Sequence, residues 1–251
     1  MKFIGIIPAR YASTRFPGKP LALLGGKTVI ERVYSQVAAE LDDVAVATDD
    51  QRIFDAVEAF GGHAVMTGTH HKSGTDRICE ALDILGGDAD IVINIQGDEP
   101  FIQPSQIRSL RACFHDPATQ IATLVKPFTP DEGIAALENP NAVKVVVGND
   151  MHALYFSRSV VPFLRGVERG QWLSRHTFYR HIGLYAYRAE VLKAVTALPQ
   201  SPLEKAESLE QLRWLQAGYT IRVATTATAT VGIDTPEDLE RAEQYLQEHG
   251  C

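Results

Sequence analysis

Along most of the chain, short apolar runs alternate with segments in which apolar residues recur roughly every three to four positions. The apolar runs predict strands at KFIGIIP, VAVAT, HAVMT, DIVINIQ, QIATLVKPF and AVKVVVG. Helices are predicted between them at 28–41, 50–60, 75–85 and 104–115. Several strands are apolar at nearly every position, which is typical of strands buried on both faces. The pattern therefore predicts an α/β fold with a mostly parallel sheet and helices on both faces.

The pattern changes between about 150 and 200, where MHALYFSRSVVPFLRG and RHTFYRHIGLYAYR hold much of the aromatic and histidine content. This stretch is locally basic, which suits either a subunit contact or a wall that binds a carboxylate. A helix at 202–217, a strand at YTIRVAT and a helix at 236–248 then return to the earlier pattern. We expect a single domain over 1–251 with an inserted subregion at about 150–200.

Composition and charge narrow the classes of function. The chain has 251 residues, of which 45% are hydrophobic, and a formal net charge of −7, which argues against a broad nucleic-acid-binding face but allows a local cationic pocket. No apolar run approaches the ~20 residues of a membrane span. The cysteines Cys79, Cys113 and Cys251 have neither disulfide-framework nor metal-ligand spacing. We expect a soluble, untargeted cytoplasmic protein that binds neither nucleic acid nor membrane.

The first candidate for chemistry is the stretch IIPARYASTRFPGKPL, in which Arg10, Arg15 and Lys19 follow the first predicted strand. In an open α/β sheet, ligands bind beyond the carboxyl ends of the strands. A phosphate chain is therefore a suitable partner for these cations, and a solvated basic loop is the alternative. The stretch is not a Walker motif, because Leu21 stands where that motif requires its first glycine.

Two aspartates are the second candidate. Asp98 follows a predicted strand in NIQGDEP, and Asp234 precedes a helix start in VGIDTPEDLE. Thr235 and Asp238 form a predicted capping box there, which leaves Asp234 without a structural role. Taken alone, Asp98 could be an ordinary turn aspartate. If the sheet brings Asp98 and Asp234 together, their oxygens suit Mg²⁺ that also holds phosphate.

Two predicted helix starts are the remaining candidates for functional residues. In HHKSGTDR, Ser73 to Arg77 offer free N–H groups and small polar side chains to a ligand, and a helix N-cap is the alternative. In SPLEKAESLEQLRWL, Ser201 and Glu204 predict a capping box. Glu207 and Glu210 lie on one face of that predicted helix, and we expect them to be solvated unless a polar group faces them.

Taken together, these stretches resemble the 3-deoxy-manno-octulosonate (Kdo) cytidylyltransferases, the CMP-Kdo synthetases of lipopolysaccharide assembly. The resemblance runs in order from residue 3 to about residue 241, with departures mainly at 163–178. Its blocks are IIPARYASTRFPGKPL, ATD, SGTDR, QGDEP, NPNAVKVV, YFSR, HIGLYAYR, SPLEKAESLEQLR and GIDTPEDLE. It implies the reaction CTP + Kdo → CMP-Kdo + pyrophosphate, Mg²⁺ dependence, a homodimer and a Rossmann-like nucleotidyltransferase fold with a dimerisation and sugar-side subregion.

The resemblance also implies roles for particular residues. The catalytic positions are Arg10, Lys19, Asp98 and Asp234, of which Asp98 and Asp234 are the metal ligands. The nucleotide-binding positions are Arg10, Ser13, Arg15, Lys19, Ser73, Gly74, Thr75 and Arg77. The sugar-binding positions are Gln96, Arg158, His181, Tyr185, Glu210 and Gln211. A second Mg²⁺ nearer Asp98 is expected to lower the pKa of the anomeric hydroxyl that attacks the α-phosphorus.

Three alternative functions stay open at this point. A CMP-sialic acid synthetase has related architecture, although SPLEKAESLEQLR and HIGLYAYR favour Kdo. A metal-dependent glycosyltransferase requires a DxD at the carboxyl end of a strand, whereas Asp88-Ala89-Asp90 precedes its predicted strand. A non-catalytic nucleotide sensor would bind CTP without releasing pyrophosphate.

Overall fold

The structure is a computed structural model that describes residues 1–228 and 232–249. The chain divides into two compact units. Unit 1 comprises Met1–Arg108, Ala186–Thr196 and Thr230–Cys251, and unit 2 comprises Ser109–Tyr185 and Ala197–Ala229. The expectation of a single domain with an insertion at about 150–200 stays a prediction.

Strands and helices alternate as the sequence pattern predicts. The strands are β1 (Phe3–Ala9), β2 (Leu23–Leu24), β3 (Lys27–Thr28), β4 (Val44–Thr48), β5 (Ala64–Met66), β6 (Ile91–Asn94), β7 (Ile121–Pro127), β8 (Lys144–Val147), β9 (Ala153–Ser157), β10 (Tyr179–Arg188) and β11 (Ile221–Thr225). The α-helices are α1 (Val29–Ala38), α2 (Gln51–Ala59), α3 (Gly74–Ile84), α4 (Pro104–Cys113), α5 (Gly133–Glu138), α6 (Trp172–Arg175), α7 (Ala189–Thr196), α8 (Pro202–Glu207), α9 (Gln211–Gln216) and α10 (Pro236–His249). Short 3₁₀ helices lie at Lys19–Leu21, Pro130–Glu132 and Arg169–Gln171.

Unit 1 is built around parallel strands in the order β6-β1-β4-β5. The central strand β1 pairs on both sides, so that Ile6 lies opposite Ala45 of β4 and Asn94 of β6. The residues of β4 and β6 are buried along their whole length. Parallel strands covered on both faces require such continuous apolar runs.

Helices cover both faces of β1. A Cβ added to Gly5 would come within 2.9 Å of side-chain atoms of Val37 and Leu41, so α1 and the residues after it pack closely on that face. Pro8 points to the other face, because side chains alternate along a strand. A Cβ on Gly74, at the start of α3, would lie 3.2 Å from Pro8. The predicted α/β class, with a mostly parallel sheet between helices, is confirmed.

Unit 2 combines parallel and antiparallel pairing. Strand β11 runs parallel to β7, with Ile221 opposite Ile121, whereas β8 pairs antiparallel with both β9 and β10. An apolar cluster forms around buried Phe128, Leu137, Trp172 and Phe178. The stretch at about 150–200, which breaks the sequence pattern, therefore supplies regular strands and part of an apolar core.

The prediction of one helix over 202–217 is wrong, because the chain forms α8 and α9 with a break at Ser208. Ser208 has the left-handed backbone angles φ 51° and ψ 48°, which end an α-helix. The capping box at the start of α8 is present as predicted: Ser201 Oγ accepts from the Glu204 N–H at 3.2 Å, and Glu204 Oε2 accepts from the Ser201 N–H at 3.2 Å.

Glu207 and Glu210 do not share one helical face as predicted, and the stated exception to their solvation applies, because polar groups face both carboxylates. The Glu207 carboxylate accepts hydrogen bonds from Ser157 Oγ at 2.7 Å and from the Arg158 N–H at 2.9 Å. Glu210 lies beyond the break and pairs with Arg213 at 2.7 Å. Polar partners thus face both carboxylates, from a distant part of the chain for Glu207 and from three residues further along for Glu210.

Candidate functional site

A cavity of about 400 Å³ lies in unit 1, where the segments that follow the carboxyl ends of β1 and β6 meet the start of α3. This is the position at which open α/β sheets bind ligands. The cavity is lined by Pro8, Ala9, Arg10, Ser13, Thr14, Arg15, Lys19, Pro20, His71, Lys72, Ser73, Gly74, Arg77, Gln96, Gly97, Asp98 and Asp234. Nearly all of the predicted nucleotide, metal and catalytic positions are therefore brought to one place.

The loop after β1 is closed on itself before it reaches Lys19. The Gly18 N–H donates to the carbonyl of Tyr11 at 2.9 Å, and Gly18 has φ 72°, which favours glycine. The Arg52 guanidinium lies 3.3 Å from the centroid of the Tyr11 ring. Arg15 lies within this closed loop and Arg10 directly precedes it, and both line the cavity.

Lys19 lies between the two aspartates that the sequence singles out. Its Nζ is 2.5 Å from Asp98 Oδ2 and 3.2 Å from Asp234 Oδ1. Arg15 approaches the second carboxylate from the other side, with Nη2 3.0 Å from Asp234 Oδ2. Two carboxylates so close would repel without positive charge between them. Lys19, which the sequence suggests as a phosphate ligand, also provides that charge.

Backbone contacts bring the aspartates together. The Ile233 N–H donates to the carbonyl of Asp98 at 2.9 Å. Ile233 is fully buried in an apolar cluster with Leu24, Val29, Phe101 and Ala242. On the Asp98 side, a Cβ at Gly97 would lie 2.8 Å from the Pro8 carbonyl oxygen, so only glycine fits there. Packing against β1 thus fixes the backbone next to Asp98, and the apolar cluster around Ile233 fixes the backbone next to Asp234. The two carboxylates are brought together although they are far apart in sequence.

The helix start beside Asp234 forms the predicted capping box. The Asp238 N–H donates to Thr235 Oγ1 at 3.2 Å, and Asp238 Oδ2 accepts from the Thr235 N–H at 2.9 Å. Asp238 Oδ2 also accepts from the backbone N–H of Asp234 at 3.0 Å. The side chain of Asp234 takes no part in the cap and is left to face the cavity.

The carboxylate pair is chemically suited to Mg²⁺. Asp98 and Asp234 each direct an oxygen at one cationic nitrogen. Among the described residues, there is no group of three or more His, Cys, Asp or Glu side chains that could hold a metal. Mg²⁺ is commonly bound by one or two carboxylates together with substrate phosphates and water. The site fits a metal that arrives with a phosphate ligand.

The residues that begin α3 form another wall of the cavity. Ser73 and Asp76 form a reciprocal capping box, with distances of 3.1 and 3.2 Å. Arg77 lines the cavity but is largely buried, and its Nη2 lies 2.7 Å from Asp49 Oδ2. Thr75 is buried and is not among the lining residues. Of the predicted nucleotide positions, Thr75 is therefore the one that the cavity does not include.

Sequence reasoning did not assign His71 and Lys72, which line the cavity beside Ser73. Both belong to HHKSGTDR, and both immediately precede a helix N-cap that follows a strand. That position is a usable signal, since residues before such a cap lie at the carboxyl edge of the sheet.

Of the predicted sugar-binding residues, Gln96 lines the unit 1 cavity, and His181 and Tyr185 lie together in unit 2 with ring centroids 5.2 Å apart. His181 Nε2 is 3.1 Å from the Thr123 hydroxyl, and burial lowers the pKa of His181 to about 3. Burial also raises the pKa of Tyr185 well above its ordinary value. Both side chains are therefore neutral at physiological pH and can exchange hydrogen bonds with hydroxyl groups.

Glu210 and Gln211 begin α9 in the same unit. The pKa of Tyr185 is also raised, after burial, by the negative charge of Glu210. Gln211 is buried, and its Nε2 has no hydrogen-bond partner within the described part of the chain. A buried amide of this kind usually has a partner in the functional state of a protein.

Arg158 connects two turns of unit 2. Its Nε donates to the Glu207 carbonyl at 2.6 Å, Nη1 donates to the Pro140 carbonyl at 3.1 Å, and Nη2 lies 3.3 Å from the Ser208 carbonyl. These contacts hold the break between α8 and α9, and through it the start of α9, in place. The predicted role of Arg158 in sugar binding stays a prediction.

Arg213→Met is expected to lower the free energy of unfolding by about 3 kcal/mol, because it leaves buried charge without a partner. Arg213 is largely buried, donates to the Leu198 carbonyl at 2.9 Å, and pairs with Glu204 and Glu210 at 3.4 and 2.7 Å. Urea unfolding followed by circular dichroism measures the loss. Exposed Arg165 offers the matched control, and Arg165→Met should change stability by less than about 0.5 kcal/mol. Equal effects of the two substitutions would contradict the assignment.

The Asp88-Ala89-Asp90 triplet lies at the amino end of β6. Asp88 pairs with Lys2 Nζ at 2.9 Å, and Asp90 Oδ2 accepts from the Lys2 backbone N–H at 2.7 Å. These carboxylates hold the start of β1 and are at the opposite end of the strands from the cavity. A DxD site of the glycosyltransferase type is therefore not formed by them.

Within the described ranges, no helix is both long and apolar enough to cross a membrane. A family model described as cytidylyltransferase matches residues 4–221. A 3-deoxy-manno-octulosonate cytidylyltransferase of Phocaeicola vulgatus is 68% identical, covering 99% of this chain and 98% of the relative. One from Bacteroides thetaiotaomicron is 67% identical, covering 98% of this chain and 99% of the relative.

Among solved structures, the chain is similar to CMP:2-keto-3-deoxy-manno-octonic acid synthetase complexed with CTP. The sequence identity is 43%, the TM-score is 0.90, and the alignment covers 99% of each chain.

Proposed function

The chain belongs to the cytidylyltransferase family, and on this premise we propose that it catalyses CTP + Kdo → CMP-Kdo + pyrophosphate. The observation that carries the proposal is the cavity lined by Arg10, Arg15 and Lys19, in which Arg15 and Lys19 contact the paired carboxylates of Asp98 and Asp234. Near-full-length relatives with the same activity in their names support it. The enzyme is a nucleotidyltransferase.

The loop cations suit a triphosphate. Arg10 and Arg15 line the cavity, and Arg15 shares the Asp234 carboxylate with Lys19. Positive charge placed there stabilises the negative charge that develops on departing pyrophosphate. The N–H groups at the start of α3, beside Ser73 and Gly74, add donors for a phosphate or ribose oxygen. Positioning and charge stabilisation are the main contributions that proteins make to phosphoryl-type transfer.

Mg²⁺ is part of the proposal, with Asp98 and Asp234 as its ligands. The metal would neutralise phosphate charge and lower the pKa of the sugar hydroxyl. Lys19 would then have to share or exchange the carboxylate oxygens that it contacts at 2.5 and 3.2 Å. Arg15, 3.0 Å from Asp234, would hold that carboxylate on the triphosphate side.

For the sugar acid, we assign the unit 2 group of His181, Tyr185, Glu210 and Gln211. Neutral His181 and Tyr185, a carboxylate and a buried amide supply both donors and acceptors for a substrate rich in hydroxyl groups. Gln96, which lines the unit 1 cavity, and Arg158 are the remaining predicted contacts. A homodimer, which the resemblance implies, and a cytoplasmic location, which the spacing of the cysteines suits, are also part of the proposal.

CTP and Kdo are expected to be strongly preferred substrates. Because a purine is larger than the pyrimidine that the site would accept, ATP should give at least about 100-fold lower kcat/KM than CTP. N-acetylneuraminate in place of Kdo should give little pyrophosphate. The measurement is pyrophosphate release with Mg²⁺ for each pair of substrates.

The same assay separates the alternatives. Preferential use of N-acetylneuraminate would identify a CMP-sialic acid synthetase. CTP binding without pyrophosphate release would identify a nucleotide sensor, and equal turnover of ATP would contradict the preference for a pyrimidine nucleotide.

A further inference from the structure

The segment 67–73, which joins β5 to α3, forms part of the cavity wall through His71, Lys72 and Ser73. A loop of this kind needs contacts that fix its shape, because ordering the backbone of each residue has an entropic cost of about 1–2 kcal/mol. The contacts that fix this loop come largely from one helix, α3.

The middle of the loop is held by Glu80. Glu80 Oε2 accepts a hydrogen bond from the backbone N–H of Gly68 at 2.8 Å. The same oxygen contacts Nε2 of His71, whose side chain is largely buried. Hydrogen bonds from His71 and then Gly68 lower the pKa of the Glu80 carboxyl. Glu80 is therefore an anion at neutral pH, and its hydrogen bonds are charge-assisted.

The two ends of the loop are held by neighbouring positions of the same helix. Arg77 Nη1 donates to Thr67 Oγ1 at 2.7 Å, and Thr67 in turn donates through its N–H to the Thr48 carbonyl at 2.8 Å. At the other end, the Ser73–Asp76 capping box closes the loop onto the helix. Arg77 and Glu80 are three residues apart and so lie on one face of α3.

Glu80 differs from Arg77 and Ser73 in one respect, because it is not among the residues that line the cavity. We propose that Glu80 is a positioning residue for the nucleotide: through Gly68 and His71 it holds the 67–73 loop in the shape that CTP requires. This rests on the proposed function. Glu80 touches neither the phosphates nor the metal carboxylates, so it should affect CTP affinity more than the rate of the chemical step.

The test compares Glu80→Gln with His71→Gln and with the double variant. Gln keeps the size of Glu80 but loses the charge, so we expect KM and Kd for CTP to rise about tenfold while kcat changes less than about twofold. Because both side chains act on one loop, the double variant should be little worse than the worse single variant. Asp83→Asn is the matched control: Asp83 lies on the same helix but pairs with Lys193 at 2.5 Å, away from the loop.

Hydrogen–deuterium exchange gives a readout that does not depend on turnover. In the absence of CTP, Glu80→Gln should speed exchange in peptides covering 67–73 and leave β4 protected, while Asp83→Asn changes neither. An unchanged Kd for CTP in Glu80→Gln overturns the positioning role. An equal loss of exchange protection in the peptides of every region also overturns it, because the effect would then be global. If the wild-type enzyme itself binds no CTP in calorimetry, the proposed function fails first, which distinguishes the two failures.

Discussion

Asp98→Asn and Asp234→Asn are each expected to lower kcat for pyrophosphate release by at least about a thousandfold at saturating Mg²⁺. Asn keeps the size of Asp but removes its charge. Both carboxylates direct oxygens at a single cation, Lys19 Nζ, at 2.5 and 3.2 Å. A metal bridging the same two groups would lose about half of its protein ligand set with either substitution.

The two aspartates should also behave as one unit in a kinetic double-mutant cycle. Because either substitution dismantles the same site, the double variant should be little worse than the worse single variant. Circular dichroism should show that all three variants fold, and Asp42→Asn, at an exposed aspartate of unit 1, should retain normal kcat. Multiplicative losses, or an active Asp98→Asn enzyme, would show that the aspartates do not share a metal.

Much of unit 1 could be predicted because local sequence determines it. Strands β1, β4 and β6 are buried on both faces, and their continuous apolar runs are visible without any knowledge of neighbours. The rule that ligands bind at the carboxyl ends of strands then predicts that Arg10 and Asp98 lie at a ligand site. Asp234 is predicted as a site residue for another reason: the capping box beside it gives structural roles to Thr235 and Asp238 but none to the Asp234 side chain.

Features that depend on distant partners could not be predicted in the same way. The break at Ser208 lies within a stretch of good helix periodicity, and contacts made by Glu207 and Arg158 accompany it. The roles of Asp49 and Glu80 likewise depend on contacts with Arg77 and His71 that only the folded chain creates. The local sequence pattern identifies a helix, a strand or a candidate charged residue. Tertiary contacts in the folded chain determine which partner that residue has.

Lys19→Met should lower kcat/KM by at least about a hundredfold, because Met fills a similar volume without the charge that stabilises the leaving pyrophosphate. The side chain of Lys19 is only 12% exposed, so its charge acts in a partly desolvated site. Lys27→Met is the matched control, since Lys27 is an exposed lysine of unit 1 that pairs with Glu31 at 3.2 Å. The control should keep wild-type kinetics within about twofold.

The same variant tests whether Lys19 and Mg²⁺ use the same carboxylate oxygens. Without Lys19, Asp98 would lose its 2.5 Å partner and Asp234 would retain only Arg15. The repulsion between the two carboxylates would then favour binding of a free divalent cation. Mg²⁺ without nucleotide should therefore raise the Tm of Lys19→Met more than that of the wild type, although the variant is the poorer enzyme. If Mg²⁺ shifts both proteins equally, the lysine and the metal do not compete, and the carboxylate pair is held together by Lys19 and Arg15 alone.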